Sequence, residues 1–496
     1  MPREPRPSHF DPPSVGRQGS RPGSSCAAVI ASLLLALGGC ASAPPPAAPL
    51  PFEVPSAWFI AGAAEPGGTP SLAQWWLRFD DPLLARLVEQ SLRANTSVQG
   101  AEAALRQARA LRDVAAAALL PTLGSAASAQ RGAAGGTTTG SIFRAGLDAS
   151  WELDVFGANR SALNASEASA RASAASLGSV QVSIAAEVAL TYFTLRSAQA
   201  RLQIANDNLA IQLETQEITQ WRQQAGLVSV LEVEQATASA EATRSQVPVL
   251  QTAIAQAGHA LAVLTGQPPA ALAATLEATR PLPQAADDLV LSLPAETLRQ
   301  RPDVRAAEDQ VAAAMARVAQ ADAALAPSFQ IGGSIGLAAL TLGTLTSGAS
   351  VVGALLASVS MPVFDGGALR AQVRAQQAGL DQASSAYEAT VLAALKDVQD
   401  ALVALRGDRE RLATLQRAAA AAGNAAEMAR LRYSSGLIDF QTVLDTQRSQ
   451  LVTQDSVAGA SADLGADHVR LYKALGGGWQ PDNPGADATA NGPPRS

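Results

Sequence analysis

The chain is poor in the residues that carry out chemistry. Of its 496 residues, two are cysteine and three are histidine. Both cysteines, Cys26 and Cys40, fall in the N-terminal segment, so the body of the chain has neither a disulfide nor a thiolate metal site. His9, His259 and His468 are far apart in sequence and read as surface or packing residues rather than ligands. No HExxH pair and no phosphate-cradling loop is present, so no metal, cofactor or enzymatic activity is expected. Asp365-Gly366-Gly367 reads as a strand-to-helix turn rather than a phosphate site. Charged residues are 16% of the chain and the net charge is −7. With no Lys/Arg cluster, that balance argues against nucleic acid as a partner. No run of about 18 apolar residues occurs, so no transmembrane helix is expected.

What is present begins with an address. Arg17 and Arg21 precede an apolar stretch, residues 26–37, which ends in Leu37-Gly38-Gly39-Cys40. A basic flank, a short apolar segment and small residues before a cut site describe a secretory signal. The last four residues resemble a bacterial lipobox, in which the cysteine is lipidated after cleavage. Residues 1–39 are therefore expected to be a signal peptide and Cys40 the lipid attachment site. Ala41 follows in place of an aspartate, which favours the outer membrane over the inner. The stretch before Arg17 is long and Pro-rich, which points to a start near Val15. Residues 40–70, Pro/Ala-rich at their beginning, read as a lipidated tether.

The rest of the chain states its plan twice. Leu92, Arg93, Val98, Glu102, Leu119 and Pro121 recur at one constant spacing as Leu298, Arg299, Val304, Glu308, Leu325 and Pro327. At a slightly longer spacing, Val188, Leu195, Arg196, Arg201, Glu217, Arg222, Gly226 and Val233 recur as Val398, Leu405, Arg406, Arg411, Glu427, Arg432, Gly436 and Val443. A period of roughly 200 residues is too long for a solenoid and means one fold with two equivalent halves. The halves are placed at 71–280 and 281–479, followed by a disordered tail at 480–496.

Each half opens with a helical pattern, 82–118 and 294–327, and then changes period. In residues 143–156, Phe143, Ala145, Leu147, Ala149, Trp151, Leu153 and Val155 alternate with polar residues or glycine, which predicts a strand with one apolar face. Phe329, Ile331, Ile335 and Leu337 alternate in the same way. With weaker partners at 122–131 and 351–363, each half supplies one hairpin, 121–156 and 327–364, with tips at 132–140 and 340–350. Strands of this length suit a tilted membrane strand. Four cannot close a barrel, and an open edge cannot sit in lipid, so several chains must pool their strands.

After each hairpin the helical period returns, at 158–265 and 366–475. Residues 158–225 and 368–435 contain no proline. Each stretch is about 100 Å long if continuous. Val188, Leu195, Leu202 and Leu209 fall seven apart with small residues between them, a seam for close coiled-coil-like packing. Gly226 and Gly436 are expected to end these helices, followed by return helices at 231–264 and 441–475. Pro248 is expected to kink the first of these.

In this order, Trp75-Trp76 with Asp81-Pro82, Trp151-Glu152-Leu153-Asp154-Val155-Phe156-Gly157, Arg301-Pro302-Asp303-Val304-Arg305, Phe364-Asp365-Gly366-Gly367, Arg432-Tyr433 with Gly436, Leu444-Asp445-Thr446-Gln447-Arg448 and Leu471-Tyr472-Lys473-Ala474-Leu475-Gly476-Gly477-Gly478-Trp479 resemble the outer-membrane factors of tripartite efflux systems. The similarity is to the TolC/OprM type and its NodT-like lipoprotein branch, and it spans about 58–479. It implies a mixed α and β, mainly α, fold. Each chain would give four strands to a trimeric twelve-stranded barrel in the bacterial outer membrane. A helical coiled-coil barrel with an equatorial girdle would reach into the periplasm. It implies a homotrimer, a periplasmic adaptor and an inner-membrane RND-type pump as partners, and a passive exit duct for small molecules.

By the same resemblance the turn after the last long helix carries an aspartate ring on the trimer axis, which falls on Asp445. Such a ring attracts and holds cations at a constriction. Arg448 lies one helical turn on and would pair with an aspartate of this chain or a neighbour. Gln441 stands where many relatives have leucine, which suggests a more polar constriction. The turns at Arg222, Gly226, Arg432 and Gly436 are the expected adaptor contacts. Two other readings remain open, a conduit for protein secretion and a periplasmic coiled-coil lipoprotein without a pore. The amphipathic strands argue against the second.

Overall fold

The computed structural model describes residues 72–134, 138–284, 298–345 and 350–480. The expected signal peptide, Cys40, the tether, almost all of the C-terminal tail and parts of both hairpin tips lie outside the described residues.

The described chain opens with a 3-10 turn, Leu72–Phe79, that buries Leu72, Trp75, Trp76 and Phe79. Helix α1, Pro82–Ala94, follows, with Asp81 as its cap and Pro82 in the first turn. Asp81 Oδ1 accepts the Leu83 and Leu84 amides at 2.8 and 3.2 Å, satisfying donors that the helix leaves free. Its Oδ2 accepts the Tyr192 hydroxyl at 2.6 Å, tying the cap to the long helix of the same half. Helix α2 spans Thr96–Ala117. The single helix expected over 82–118 is therefore two. Asn95 between them is extended (φ −67, ψ 132), because its side chain caps α2 through the Ser97 amide at 2.8 Å. The same side chain donates to the Leu264 carbonyl at 2.9 Å, which fixes the bend against a distant helix.

The hairpin strands are β1, Thr122–Ala134, and β2, Thr138–Leu153. Strand β2 ends three residues before the expected Phe156, where Asp154 turns the chain. The 67-residue helix α3, Ala158–Gln224, comes next. The return path is α4, Val230–Arg244, and α5, Gln246–Leu264, rather than one helix. The break at Ser245 lies three residues before Pro248, whose missing N–H leaves the Arg244 carbonyl without its helical donor. A four-residue helix, α6 (Ala273–Leu276), closes the half.

The second half repeats the order with α7, Pro302–Ala323; β3, Ser328–Ala339; β4, Val351–Ser360; α8, Ala368–Ser434; and α9, Phe440–Ala474. Helix α8, like α3, is 67 residues long, about 100 Å at helical rise. Both long helices start on a left-handed glycine, Gly157 (φ 80) and Gly367 (φ 87), and an aspartate just upstream accepts first-turn amides. Backbone hydrogen bonds hold the turns at their other ends, Leu227 to Arg222 and Leu437 to Arg432, around Gly226 (φ 70) and Gly436 (φ 74).

The two hairpins form one antiparallel sheet in the order β1-β2-β3-β4. Against the expectation from sequence, α3 and the α4–α5 pair do reach the length and hydropathy of a membrane span. The rule on apolar runs misses them because alanine makes a helix apolar on average without a run of large side chains. In α3 those alanines, Ala165, Ala168, Ala172, Ala185 and Ala189 among them, are buried against other helices.

The main core gathers Trp75, Trp76, Phe79, Tyr192, Phe193 and Tyr472 from the 3-10 turn, α3 and α9. Phe79 meets Phe193 and Tyr472 edge-on at 5.3 and 6.0 Å, a favoured aromatic arrangement. Both described ends of the chain arrive here. The Gly478 amide donates to the Leu72 carbonyl at 2.9 Å. Trp479 packs so closely on Gly178 that any Cβ there would lie 2.5 Å from its indole nitrogen.

Candidate functional site

The sheet separates two chemistries. Its register puts Phe143, Ala145, Leu147, Ala149, Trp151 and Leu153 of β2 opposite Ala339, Leu337, Ile335, Gly333, Ile331 and Phe329 of β3. Leu337, Ile335, Gly333, Ile331 and Phe329 in turn face Val351, Gly353, Leu355, Ala357 and Val359 of β4. All of these share one face, and β1 adds Leu123, Ala127 and Ala129 to it; toward the first hairpin tip the same face turns polar, with Arg131 opposite Ser141. The other face carries Arg144, Asp148, Ser150 and Glu152 of β2 with Gln330 and Ser334 of β3. Leu355 is 84% exposed and Ile335 61%, so the apolar face lies uncovered in the single chain. The outer edges of β1 and β4 have no strand beside them among the described residues. Within β3, Gly332-Gly333-Ser334-Ile335-Gly336 spells the GxSxG pattern. A nucleophile needs that pattern on a sharp strand-to-helix turn, whereas here it lies mid-strand.

At the far ends of the long helices the two turns come together. Arg222, at the end of α3, donates to the Tyr433 carbonyl at 3.1 Å and stacks over the Tyr433 ring at 4.5 Å. The Tyr433 hydroxyl reaches Glu232 of α4 at 3.2 Å, and its ring packs on Phe440 at 5.3 Å. Burial raises the Tyr433 phenol above its ordinary range, Arg222 opposes the shift and Glu232 adds to it. Tyr433, Phe440, Val443 and Leu444 form a small core that joins the two halves at the tip. Around it Trp221, Leu227, Leu231, Leu431 and Leu437 are exposed. Gly226, Arg432 and Gly436 are exposed as well.

Helix α9 leaves this core with two distinct faces. One is tied to α3: Gln447 donates to Thr215 at 3.0 Å, Asn208 donates to Gln454 at 2.8 Å, and Arg201 grips Asp455 at 2.6 and 3.0 Å. The other face exposes Gln441, Asp445 and Arg448, spaced four and three residues apart on one stripe. Within the single chain Asp445 and Arg448 form no ion pair among the described residues. Gln441 Nε2 donates to Asp445 Oδ1 at 3.0 Å instead, since the i,i+4 geometry brings the amide to the carboxylate. Asp439 caps this helix through the Thr442 amide and hydroxyl, at 2.8 and 2.6 Å, and those bonds hold its carboxyl below the usual range.

Sequence reasoning placed the turns but missed Tyr433, Phe440 and Glu232 as the residues that join them. A signal was available. The repeat spacing sets Gln223 and Val230 opposite Tyr433 and Phe440, so both aromatics belong to the second half alone.

The sequence profile described as outer membrane efflux protein matches residues 87–267 and 293–477, once in each half. The chain belongs to this family. It is an outer-membrane efflux channel that extends into the periplasm. It is 34% identical over 467 residues to the pyoverdine export outer membrane protein OpmQ of Pseudomonas putida, covering 91% of this chain and 97% of the relative. It is 30% identical to nodulation protein T of Rhizobium leguminosarum, covering 90% and 93%. Among solved structures, the outer-membrane channel OprN superposes with a TM-score of 0.80 at 38% identity, covering 87% of this chain and 99% of OprN. The open state of the MtrE channel of Neisseria gonorrhoeae gives a TM-score of 0.73 at 28% identity, covering 86% and 98%. The efflux channel thus carries the TolC-like fold, with an amphipathic sheet at one end and paired helix turns at the other.

Proposed function

We propose that the channel is a homotrimer. Twelve strands from three chains close one barrel in the outer membrane, and the long helices close a tunnel across the periplasm. The observation that carries this reading is the sheet, with one face mainly apolar across β2, β3 and β4 and both outer edges unpaired among the described residues. In lipid every strand edge needs a partner, and a four-stranded sheet supplies none for its own edges. Helix α8 supports the same reading. Leu392, Val403, Met428 and Leu431 are each at least half exposed in the single chain, an apolar surface that a second copy covers. Chemical cross-linking of the purified protein in detergent is expected to give a ladder that stops at three chains. A ladder stopping at one or two removes this assembly.

Within that trimer, Cys40 carries the lipid, and Asp445 with Gln441 and Arg448 lines the periplasmic constriction. The exposed stripe on α9 supports the gate role, since α9 is anchored to α3 by its opposite face. The exposed apolar residues at the paired turns, with Arg222, Gly226, Arg432 and Gly436, suit docking of a periplasmic adaptor that couples the channel to an inner-membrane RND-type pump. The relatives named for pyoverdine export and for toluene efflux point to small organic cargo. Deleting the gene is expected to raise sensitivity to such compounds, and plasmid-borne restoration to reverse it.

A further inference from the structure

The two halves end their hairpins alike, yet the single chain covers only one of the two ends. Beyond β2, Leu153-Asp154-Val155-Phe156 leads into α3, and beyond β4, Met361-Pro362-Val363-Phe364 leads into α8. Asp365 and Gly366 then intervene before the left-handed Gly367, so the copies align through Val-Phe rather than through the glycine. In the first copy Leu153 lies opposite Phe329, near the start of β3. The Phe156 ring folds back against the Phe329 ring at 6.3 Å. Phe156 thus packs along the sheet, on the strand beside its own. In the second copy no strand lies beside β4 on its outer edge among the described residues. Phe364 is 91% exposed and Val363 97%.

The strand that would receive them can be named. The spacing that sets Pro327 on Pro121 sets Phe329 on Leu123, near the start of β1. Strand β1 is the other free edge of the sheet among the described residues. Leu123 is 71% exposed and Leu120, just before it, 64%. One end of the sheet therefore offers an aromatic with no seat, and the other offers the seat. Two unlike edges that fit one another make a head-to-tail contact, which closes into a ring when rotation repeats it.

We propose that Phe364 of one chain packs on Leu123 of the next, and that this staple fixes the register of the seam between β4 and the next chain's β1. It rests on the trimeric barrel proposed above and names the residues that join its copies. By the geometry of the first copy, Met361 then lies opposite Leu123, Ala357 opposite Ala127 and Leu355 opposite Ala129. The seam needs such a device. The other strand pairs are joined within one chain, whereas nothing covalent sets the register between two chains. A slip by one residue turns every side chain to the opposite face, so the apolar pattern excludes it. A slip by two keeps every face, so the pattern cannot exclude it. The staple does, because such a slip carries Leu123 about 7 Å along the strand from Phe364.

The test uses the full chain in detergent, with oligomer size read by light scattering. Met361→Cys combined with Leu123→Cys is expected to oxidise to a disulfide between chains, since directly opposite residues lie within disulfide reach. Met361→Cys combined with Ser125→Cys, two residues along, is expected to stay reduced. The wild type, with Cys26 and Cys40, is the thiol control. Phe364→Ala changes a side chain already open in the single chain, so each chain is expected to fold as before. Its trimers are expected to dissociate about tenfold faster, as the loss of one buried aromatic implies. Phe364→Leu is expected to stay close to the wild-type rate. A trimer that links through Ser125→Cys, or through neither position, overturns the staple and leaves the assembly standing. Phe364→Ala trimers that dissociate at the wild-type rate do the same and place Phe364 against lipid. A wild type that forms no trimer removes the assembly and the staple together.

Discussion

At the residue scale, the side chains that matter join elements remote in sequence. Arg222 is the clearest, since one guanidinium both bonds the Tyr433 carbonyl and covers its ring. Arg222→Ala is expected to free the two turns from each other, read as faster proteolysis around 222–229 with Tm nearly unchanged. Asp445→Ala is expected to raise the ion conductance of the isolated trimer in a planar bilayer. Gln441→Leu, which also removes the bond to Asp445, is expected to lower it; equal conductance in all three proteins removes this stripe from the constriction. Gly178→Ala brings a Cβ onto the Trp479 indole and is expected to cost about 1–3 kcal/mol, measured by denaturant unfolding. The sequence made Asp445 and Gln441 legible through a resemblance, but not their mutual hydrogen bond, which depends on rotamers. Tyr433 passed unnoticed as a contact because its partners, Arg222 and Glu232, lie in the other half.

At the element scale, the glycines at chain reversals and the glycines within helices predict opposite outcomes. Gly226 and Gly436 hold left-handed backbone that a side chain disfavours, so Gly436→Ala is expected to lose about 1–2 kcal/mol. Gly100 sits inside α2 with open space around its Cα, so Gly100→Ala is expected to gain about 0.5–1 kcal/mol. Thermal unfolding of the two variants against wild type checks both signs. The long helices were readable because proline is absent from them and glycine ends them. The bend at Asn95 was not, because a polar residue between two helical patterns looks helical until its side chain finds Leu264. The break at Ser245 was half legible: Pro248 announced a disturbance but not that the helix would stop three residues earlier.

At the scale of the whole molecule, two copies of one plan build a sheet at one end and paired turns at the other, and the core ties both to the middle. Alternation alone revealed the strands, since side chains that change face at every residue belong to a pleated strand and not to a helix. It could not reveal that β2 and β3, from different halves, are neighbours, because that pairing closes over the full length of α3, α4 and α5. The same middle is where the described chain begins and ends, with Leu72 and Gly478 bonded backbone to backbone. Topologically, the fold from 72 to 480 is then a closed loop that happens to be cut at its waist. A circular permutant that bridges this cut with a few residues and opens instead at the exposed Gly226 turn should trace the same path in space. A peptide or reporter joined to the permutant's new ends would hang at the periplasmic mouth, whereas one joined at either natural boundary of the fold would sit partway up the wall.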